Sequence, residues 1–171
     1  TLAMANIIAQ LQHNRLSHWM QLYTDQKATR ALMDTASDSS IVTDSAAASS
    51  SWGGGKRVPN GSLNVNRDGS TNIPILQKFK QKGKSVGCIT TVPITHATPA
   101  GFCIAAQKRN DQEHIAELYA GIDFDLFLGG GLKYFSPEQR KDKKDMVAVF
   151  QKQNYQVVYS KKELFQANNK K

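Results

Sequence analysis

The 171-residue sequence predicts an α/β fold with a mostly parallel central sheet flanked by helices. Three observations carry that expectation. Two short apolar runs, "KSVGCIT" (84–90) and "FDLFLGGG" (124–131), have the length and bounding glycines of buried strands. Between and around them lie amphipathic stretches with helix start and stop signals. Alternating strand and helix signals build parallel sheets, because a crossover helix returns each strand to the same direction.

The elements follow in chain order. From Leu2 to about Leu22, apolar residues recur at helical intervals (Ile7, Ile8, Leu11, then Leu16, Trp19, Met20), which predicts one or two amphipathic helices. Ile41-Val42-Thr43 reads as a short strand leading into the Ser/Ala-rich run from Ser45. Residues 73–82 read as a helix with Pro74 early and Gly83 as its stop. After the strand at 84–90, "ATPAGFCIAAQKR" (97–109) reads as a helix begun at Thr98-Pro99. "DQEHIAELYAG" (111–121) is another, capped by Asp111 and ended by Gly121. The strand at 124–131 ends in glycines, where backbone turns sharply. Beyond it come a helix, a strand "YQVVYS" (155–160) and a short helix begun by Ser160.

Composition narrows the function classes. Twenty-two Lys and Arg against 14 Asp and Glu give a formal charge of +8, and a basic chain attracts polyanions. Acids are interleaved with the lysines in "EQRKDKKDM" and "SKKELFQANNKK", and no zinc knuckle, aromatic RNA-binding pattern or basic stripe accompanies them. No nucleic-acid partner is therefore expected, and a noncatalytic basic module binding nucleic acid or anionic surfaces is the alternative reading. No apolar run approaches the ~20 residues that span a bilayer, so no membrane partner is expected. Residues 1–15 lack the n-region, h-region and cleavage site of a secretory signal. Cys88 and Cys103 cannot form a disulfide framework or a four-ligand zinc site unaided. Their apolar settings favour buried thiols, with a single bridge left open.

The stretch "SSIVTDSAAASSSWGGGKR" (39–57) is either a small-residue linker or a strand-to-helix turn carrying a nucleophile. In the second case Ser45 occupies the first turn of a helix, where free N–H groups favour an anion. It would still need activation. A nucleophile elbow fails, because Thr43 and Ala47 stand where it needs glycine. A P-loop fails as well, with Ser50 for its first glycine and Arg57 for its Ser/Thr. Metal activation of the hydroxyl is the remaining route.

"VTDSAAASSSWGGGKRVPNGSL" resembles the nucleophile segment of the alkaline phosphatases. "ITTVPITHATPAGFCIAAQKR" is similar to that family's second signature, in which Thr-Pro is followed, eleven residues after the Thr, by Arg. "DLFLGGGLKYF" resembles the family's strand and Gly-Gly-Gly turn. The three pieces are collinear over about residues 36–135.

The resemblance implies an incomplete alkaline phosphatase-like catalytic domain over residues 1–171. Its implied activity is hydrolysis of phosphate monoesters through a phosphoserine on Ser45, assisted by Zn2+ and Mg2+. Asp44 would orient Arg109, and Arg109 would hold two phosphate oxygens with its fork of donors. Ser45 and Thr98 would also be metal ligands, Thr98 to magnesium. His96 stands where relatives carry Asp or His, and with His weaker magnesium occupancy or zinc is expected. Without the resemblance, Ser45 and Thr98 are helix-cap residues, Asp44 a turn acid and Arg109 a helix-end cation. His13, His18 and His114 read as surface or helix residues.

The family's Gly-Asp-Gly-Met-Gly turn and its downstream Asp, His and Glu zinc ligands have no counterpart in the sequence. An inactive isolated chain is therefore expected, its site completed by the rest of the polypeptide or a second chain. The family's enzymes are commonly dimers, which adds a homodimer to the expected partners, and they act on external phosphate esters, which favours a periplasmic or secreted location. A sulfatase or phosphodiesterase relative is the nearby competitor, but those place Cys or Thr at the nucleophile.

Overall fold

The computed structural model describes residues 2–167. The chain divides into two units, Thr1–Met33 and Asp34–Lys171.

The first unit holds α1 (Leu2–His13) and α2 (His18–Thr24), so the periodicity at 2–22 becomes two helices. Asn14 takes a left-handed φ of 47°, which breaks the run. Ser17 then caps α2 by accepting from the Met20 amide, while its own amide donates to Asn6 Oδ1 at 3.1 Å. Beyond α2, Arg30 donates to the Tyr23 carbonyl and lies over its ring.

The second unit is built on a βαβ crossover. Strands β1 (Gly87–Pro93) and β2 (Leu126–Gly130) pair in parallel, with Cys88 beside Phe127 and Ile89 beside Leu128. The register shifts between Ile89 and Pro93, so that Pro93 meets Gly130. Ahead of β1 lie α3 (Ser45–Gly54) and α4 (Ile75–Gln81), and α5 (Ala97–Cys103) and α6 (Gln112–Ala120) make the crossover. After β2 come a 3-10 turn at Leu132–Tyr134, α7 (Met146–Lys152) and α8 (Lys161–Gln166). The core gathers Leu63, Ile94, Cys103, Ile115, Tyr119 and Phe124. Phe127 fans it outward, its ring 5.0 Å from Tyr119 and 5.6 Å from Phe124.

Helix α3 is made of small residues, and that sets its packing. A Cβ on Gly53 would stand 2.4 Å from the Gly101 carbonyl oxygen, and one on Gly101 would stand 2.1 Å from Ser49 Oγ. Ser49 donates to the Ala97 carbonyl at 2.9 Å. Ser49 meeting Ala97 and Gly53 meeting Gly101 fixes α3 and α5 side by side and parallel, backbone against backbone. Their N-termini therefore share one end of the unit.

Asn64 locks that pair. Its amide donates to Ser50 Oγ on α3, and its side-chain NH2 donates to the carbonyls of Gly101 and Ile104, each at 2.8 Å. Its Oδ1 lies buried and meets no donor among the described residues, against the bare Cα of Gly54.

Four sequence expectations need correction. Ile41-Val42-Thr43 is not a strand. Ile41 and Val42 lie exposed, and the Val42 carbonyl accepts from the Asn60 side chain at 2.9 Å rather than from a neighbouring strand. The helix expected over 97–109 ends at Cys103. Asn64 and Gln77 take its last carbonyls as acceptors, and Ile104 turns extended to reach the core. The "YQVVYS" segment forms no ladder either. Tyr155 donates its hydroxyl to the Phe124 carbonyl, which anchors the segment by a side chain. An apolar cavity of about 520 Å³ lies between it and β2. The strand at 84–90 begins three residues later than read, because Lys84 still bonds back to the Phe79 carbonyl of α4.

Because the α3–α5 contact leaves no room for a methyl group, Gly101→Ala is expected to destabilise the protein by about 1–3 kcal/mol. The check is the urea midpoint at unchanged slope; an unchanged midpoint would contradict the packing described here.

Candidate active site

The site grows from the turn into α3. Asp44 is the N-cap. Its Oδ1 accepts from the Ala47 amide at 2.8 Å, and its Oδ2 accepts from the Gly61 amide at 2.9 Å and from Arg109 Nη1 at 3.1 Å. A carboxylate here suits the positive end of a helix and satisfies one of its free donors. Ser45 follows as the first helical residue, exposed on the rim. Among the described residues no acceptor meets the amides of Ser45 and Ala46, so that end of α3 keeps donors for an anion.

Arg109 reaches Asp44 from a loop, not from the helix end that its sequence context suggests. Its amide donates to the Gly61 carbonyl at 2.8 Å, just beyond the antiparallel bridge of Leu63 and Ala106. One tight turn thus serves both partners: the Gly61 amide holds Asp44, and its carbonyl holds Arg109. Gly61 has a φ of 84°, a conformation glycine adopts without strain. Asn60 completes the brace by accepting from the Asp44 amide at 3.0 Å.

Thr98 and His96 come from the start of α5. Thr98 is exposed, and His96 is half-buried and caps the helix, its Nδ1 accepting from the Thr98 amide at 3.5 Å. Burial and the nearby Arg109 charge push the His96 imidazolium toward losing its proton below the ordinary 6.5. Both effects favour the neutral ring over the imidazolium. Thr95, one residue earlier, is buried and donates to Gln112, which donates to the Tyr134 hydroxyl. The turn is pinned from behind.

The structure therefore bonds Asp44 to Arg109, with Ser45 next in the chain to Asp44, and sets His96 and Thr98 at the same end of the paired helices. His13 and His18 are exposed, and His114 faces Glu117 at 3.9 Å. Sequence reasoning missed how Asn60, Gly61 and Asn64 serve the site. Nothing local announced that the Gly61 amide would meet a carboxylate seventeen residues upstream, or that the Asn60 side chain would accept from that residue's amide.

Zinc does not fit the residues present. Among the described residues, no three of His, Cys, Asp or Glu gather in a way that could hold a metal ion. Magnesium finds one suitable donor, the Thr98 hydroxyl, beside a nitrogen ligand in His96 that it does not favour.

Comparisons with known proteins bear on this group. The profile described as alkaline phosphatase matches residues 1–171. Alkaline phosphatase 3 of Bacillus subtilis is 32% identical over 160 residues, which is 82% of this chain and 34% of the Bacillus protein. The crystal structure of Thermus thermophilus alkaline phosphatase superposes with a TM-score of 0.87 at 37% identity, covering 97% of this chain and 35% of that one. The alkaline phosphatase of the Antarctic bacterium TAB5 gives 0.77 at 29% identity, covering 98% of this chain and 48% of its own. A variant of that enzyme with a histidine replaced by aspartate has magnesium bound in a site termed M3. The chain spans about a third of the length of the curated relatives it matches.

Burial raises the Asp44 pKa, but the bonds from Ala47, Arg109 and Gly61 outweigh it and hold the carboxyl below its ordinary 3.8. A depressed folded pKa means that the stability Asp44 contributes is present above the ordinary carboxylate range and is lost as pH falls through the depressed value. Carboxyl-carbon NMR should place the Asp44 midpoint under 3.8, and Arg109→Gln should raise it. A midpoint at or above the ordinary value would contradict the assignment.

Proposed function

We propose that this chain, which belongs to the alkaline phosphatase family, forms the nucleophile-bearing part of an enzyme that hydrolyses phosphate monoesters. The observation that carries the reading is the Asp44 carboxylate, joined at once to the start of α3, to Gly61 and to Arg109. It fixes a guanidinium beside an exposed serine at a helix N-terminus.

In this reading Ser45 Oγ attacks the substrate phosphorus, the ester alcohol departs, and a phosphoserine forms. Water then attacks that phosphorus, releasing phosphate and restoring the hydroxyl. Arg109 takes two phosphate oxygens with donors that do not bond Asp44, a planar match that lysine cannot make. Asp44 keeps the fork aimed, and the free α3 amides add positive potential where charge accumulates.

Metal assistance belongs to the same proposal. No zinc step is assigned to residues of this chain, since its donors do not fit that ion; zinc ligands would come from the rest of the polypeptide or a second chain. Thr98 is the magnesium donor offered here, with His96 as its neighbour. A periplasmic or secreted setting and a homodimer rest on the family resemblance. Among the described residues no helix is long and apolar enough to cross a membrane.

The basic charge does not favour the nucleic-acid alternative. Lys80 pairs with Asp125, and Arg140 with Glu117 and Asp142. Those cations already have partners.

Phosphoenzyme trapping tests the reading. The whole protein incubated with inorganic phosphate and quenched in acid should yield a tryptic peptide phosphorylated at Ser45. Ser45→Ala should lose that peptide and about a thousandfold or more of p-nitrophenyl phosphate turnover. Arg109→Gln should weaken phosphate inhibition about ten- to a hundredfold. Turnover surviving in Ser45→Ala would refute the nucleophile.

A second test concerns the metal. His96→Asp replaces a nitrogen by the hard oxygen that magnesium prefers and is expected to tighten magnesium binding about tenfold or more in calorimetric titration. Unchanged or weaker binding would remove His96 from the metal site.

A further inference from the structure

Asn60 and Gly61 form the single Asn-Gly pair in the sequence. A glycine after asparagine leaves its nitrogen unhindered, since no side chain obstructs the approach of that nitrogen to the carboxamide carbon. Packing gives the pair no shelter either. Asn60 is exposed, and a Cβ placed on Gly61 would meet nothing within 4 Å.

We propose that Asn60 is a deamidation site and that the Asp44 carboxylate is the group that holds it closed in the folded protein. The inference concerns the chemistry of the turn and is independent of the phosphatase reading.

The reaction has two steps. The Gly61 nitrogen gives up its proton to a base in solvent and bonds to the Asn60 side-chain carbonyl carbon, and the carboxamide nitrogen departs as ammonia. A cyclic imide is left. Water then adds to one of its two carbonyls, so that opening on one side gives aspartate and opening on the other gives isoaspartate, with the main chain rerouted through the side-chain carbon. Asparagine and water become an acid and ammonia, with no oxidant or reductant needed.

The fold restrains both reactants. A peptide nitrogen shares its lone pair with the neighbouring carbonyl, so it attacks only after losing its proton. The Gly61 N–H donates to Asp44 Oδ2 at 2.9 Å. A carboxylate at that distance holds the proton in place and repels the amide anion that its loss would create. The electrophile is gripped as well: Asn60 Oδ1 accepts from the Asp44 amide at 3.0 Å, and Nδ2 donates to the Val42 carbonyl at 2.9 Å. Departure of the nitrogen breaks the second of these bonds.

The backbone of the turn is pinned around them. The Asn60 amide donates to Ser39 Oγ at 2.9 Å, the Ser62 amide to the Pro59 carbonyl at 3.1 Å, and the Arg109 amide to the Gly61 carbonyl at 2.8 Å. Hydrogen bonds therefore do here what burial does elsewhere. Either product loses the donor to Val42, and the isoaspartyl product also displaces Gly61, whose amide and carbonyl hold Asp44 and Arg109. Modification would thus undo the restraint that delays it.

The test holds the whole protein at mildly alkaline pH and follows Asn60 by peptide mapping that resolves its Asn, Asp and isoAsp forms. The chain unfolded in urea is expected to convert at Asn60, and the folded protein to convert about ten- to a hundredfold more slowly, the range that a hydrogen bond to a charged group supplies. Asp44→Ser keeps a capping side chain but removes the carboxylate, and is expected to speed conversion in the folded protein about tenfold or more. Gly101→Ala weakens the fold away from the turn and is expected to keep the wild-type rate, which separates release of the turn from general unfolding. The proposal is overturned by no conversion in urea, by a folded rate equal to the unfolded one, by an unchanged rate in Asp44→Ser, or by equal acceleration in Gly101→Ala. The folded-to-unfolded comparison needs no variant and stands if a substitution impairs folding.

Discussion

The approach of α3 to α5 is the constraint on which the rest of the structure depends. Two helices that touch through Gly53, Gly101 and Ser49 have little freedom to slide or rotate, since each backbone is the other's wall. Their common direction puts two helix N-termini side by side, and those termini carry Ser45 and Thr98. Asn64 holds the contact from the flank by bonding to both helices. The sheet, a pair of strands among the described residues, supports α5 from below. The site is thus a product of helix packing, with the strands as its foundation.

Much of this was legible in the sequence wherever the signal was local. Asp111 before α6 and Ser160 before α8 cap their helices as read, and Ser160 forms a reciprocal box with Glu163. The start of α3 at Ser45 was readable from the run of small residues, although the cap is Asp44 and not Ser45, which the sequence alone offered as the capping residue. Signals failed where distant residues decided the outcome. The carbonyls that would have continued α5 are taken by Asn64 and Gln77, far upstream, so the stretch as far as Arg109 became a loop. Apolar content also misled at Ile41-Val42 and at "YQVVYS". A strand needs a neighbour's backbone, and both segments instead spend hydrogen bonds on side chains.

Electrostatics inside the unit follows a division of labour. Asp44 meets a single arginine with part of its charge still facing solvent, leaving that arginine donors to spare. Arg140 is the opposite case. Its side chain is fully buried and saturated by Glu117, Asp142 and the carbonyls of Glu113 and Tyr134, so it serves as an internal brace joining α6 to the loop after β2. Both are arginines among acids. Only the first retains capacity for an anion from outside.

The Ser/Ala/Gly stretch that forms α3 has a further consequence. By composition it is the least distinctive part of the chain, the kind of sequence that similarity filters discard as uninformative. By geometry it is where volume is most tightly limited, with Ala46, Ala47, Ser49, Ser50, Ser51 and Gly53 all buried. What this helix constrains is size more than polarity, because a hydroxyl can find a carbonyl there while an added carbon finds no space. Substitutional freedom across the protein is therefore inverted relative to appearance: the exposed lysines around the Arg140 brace can drift, and the monotonous segment cannot.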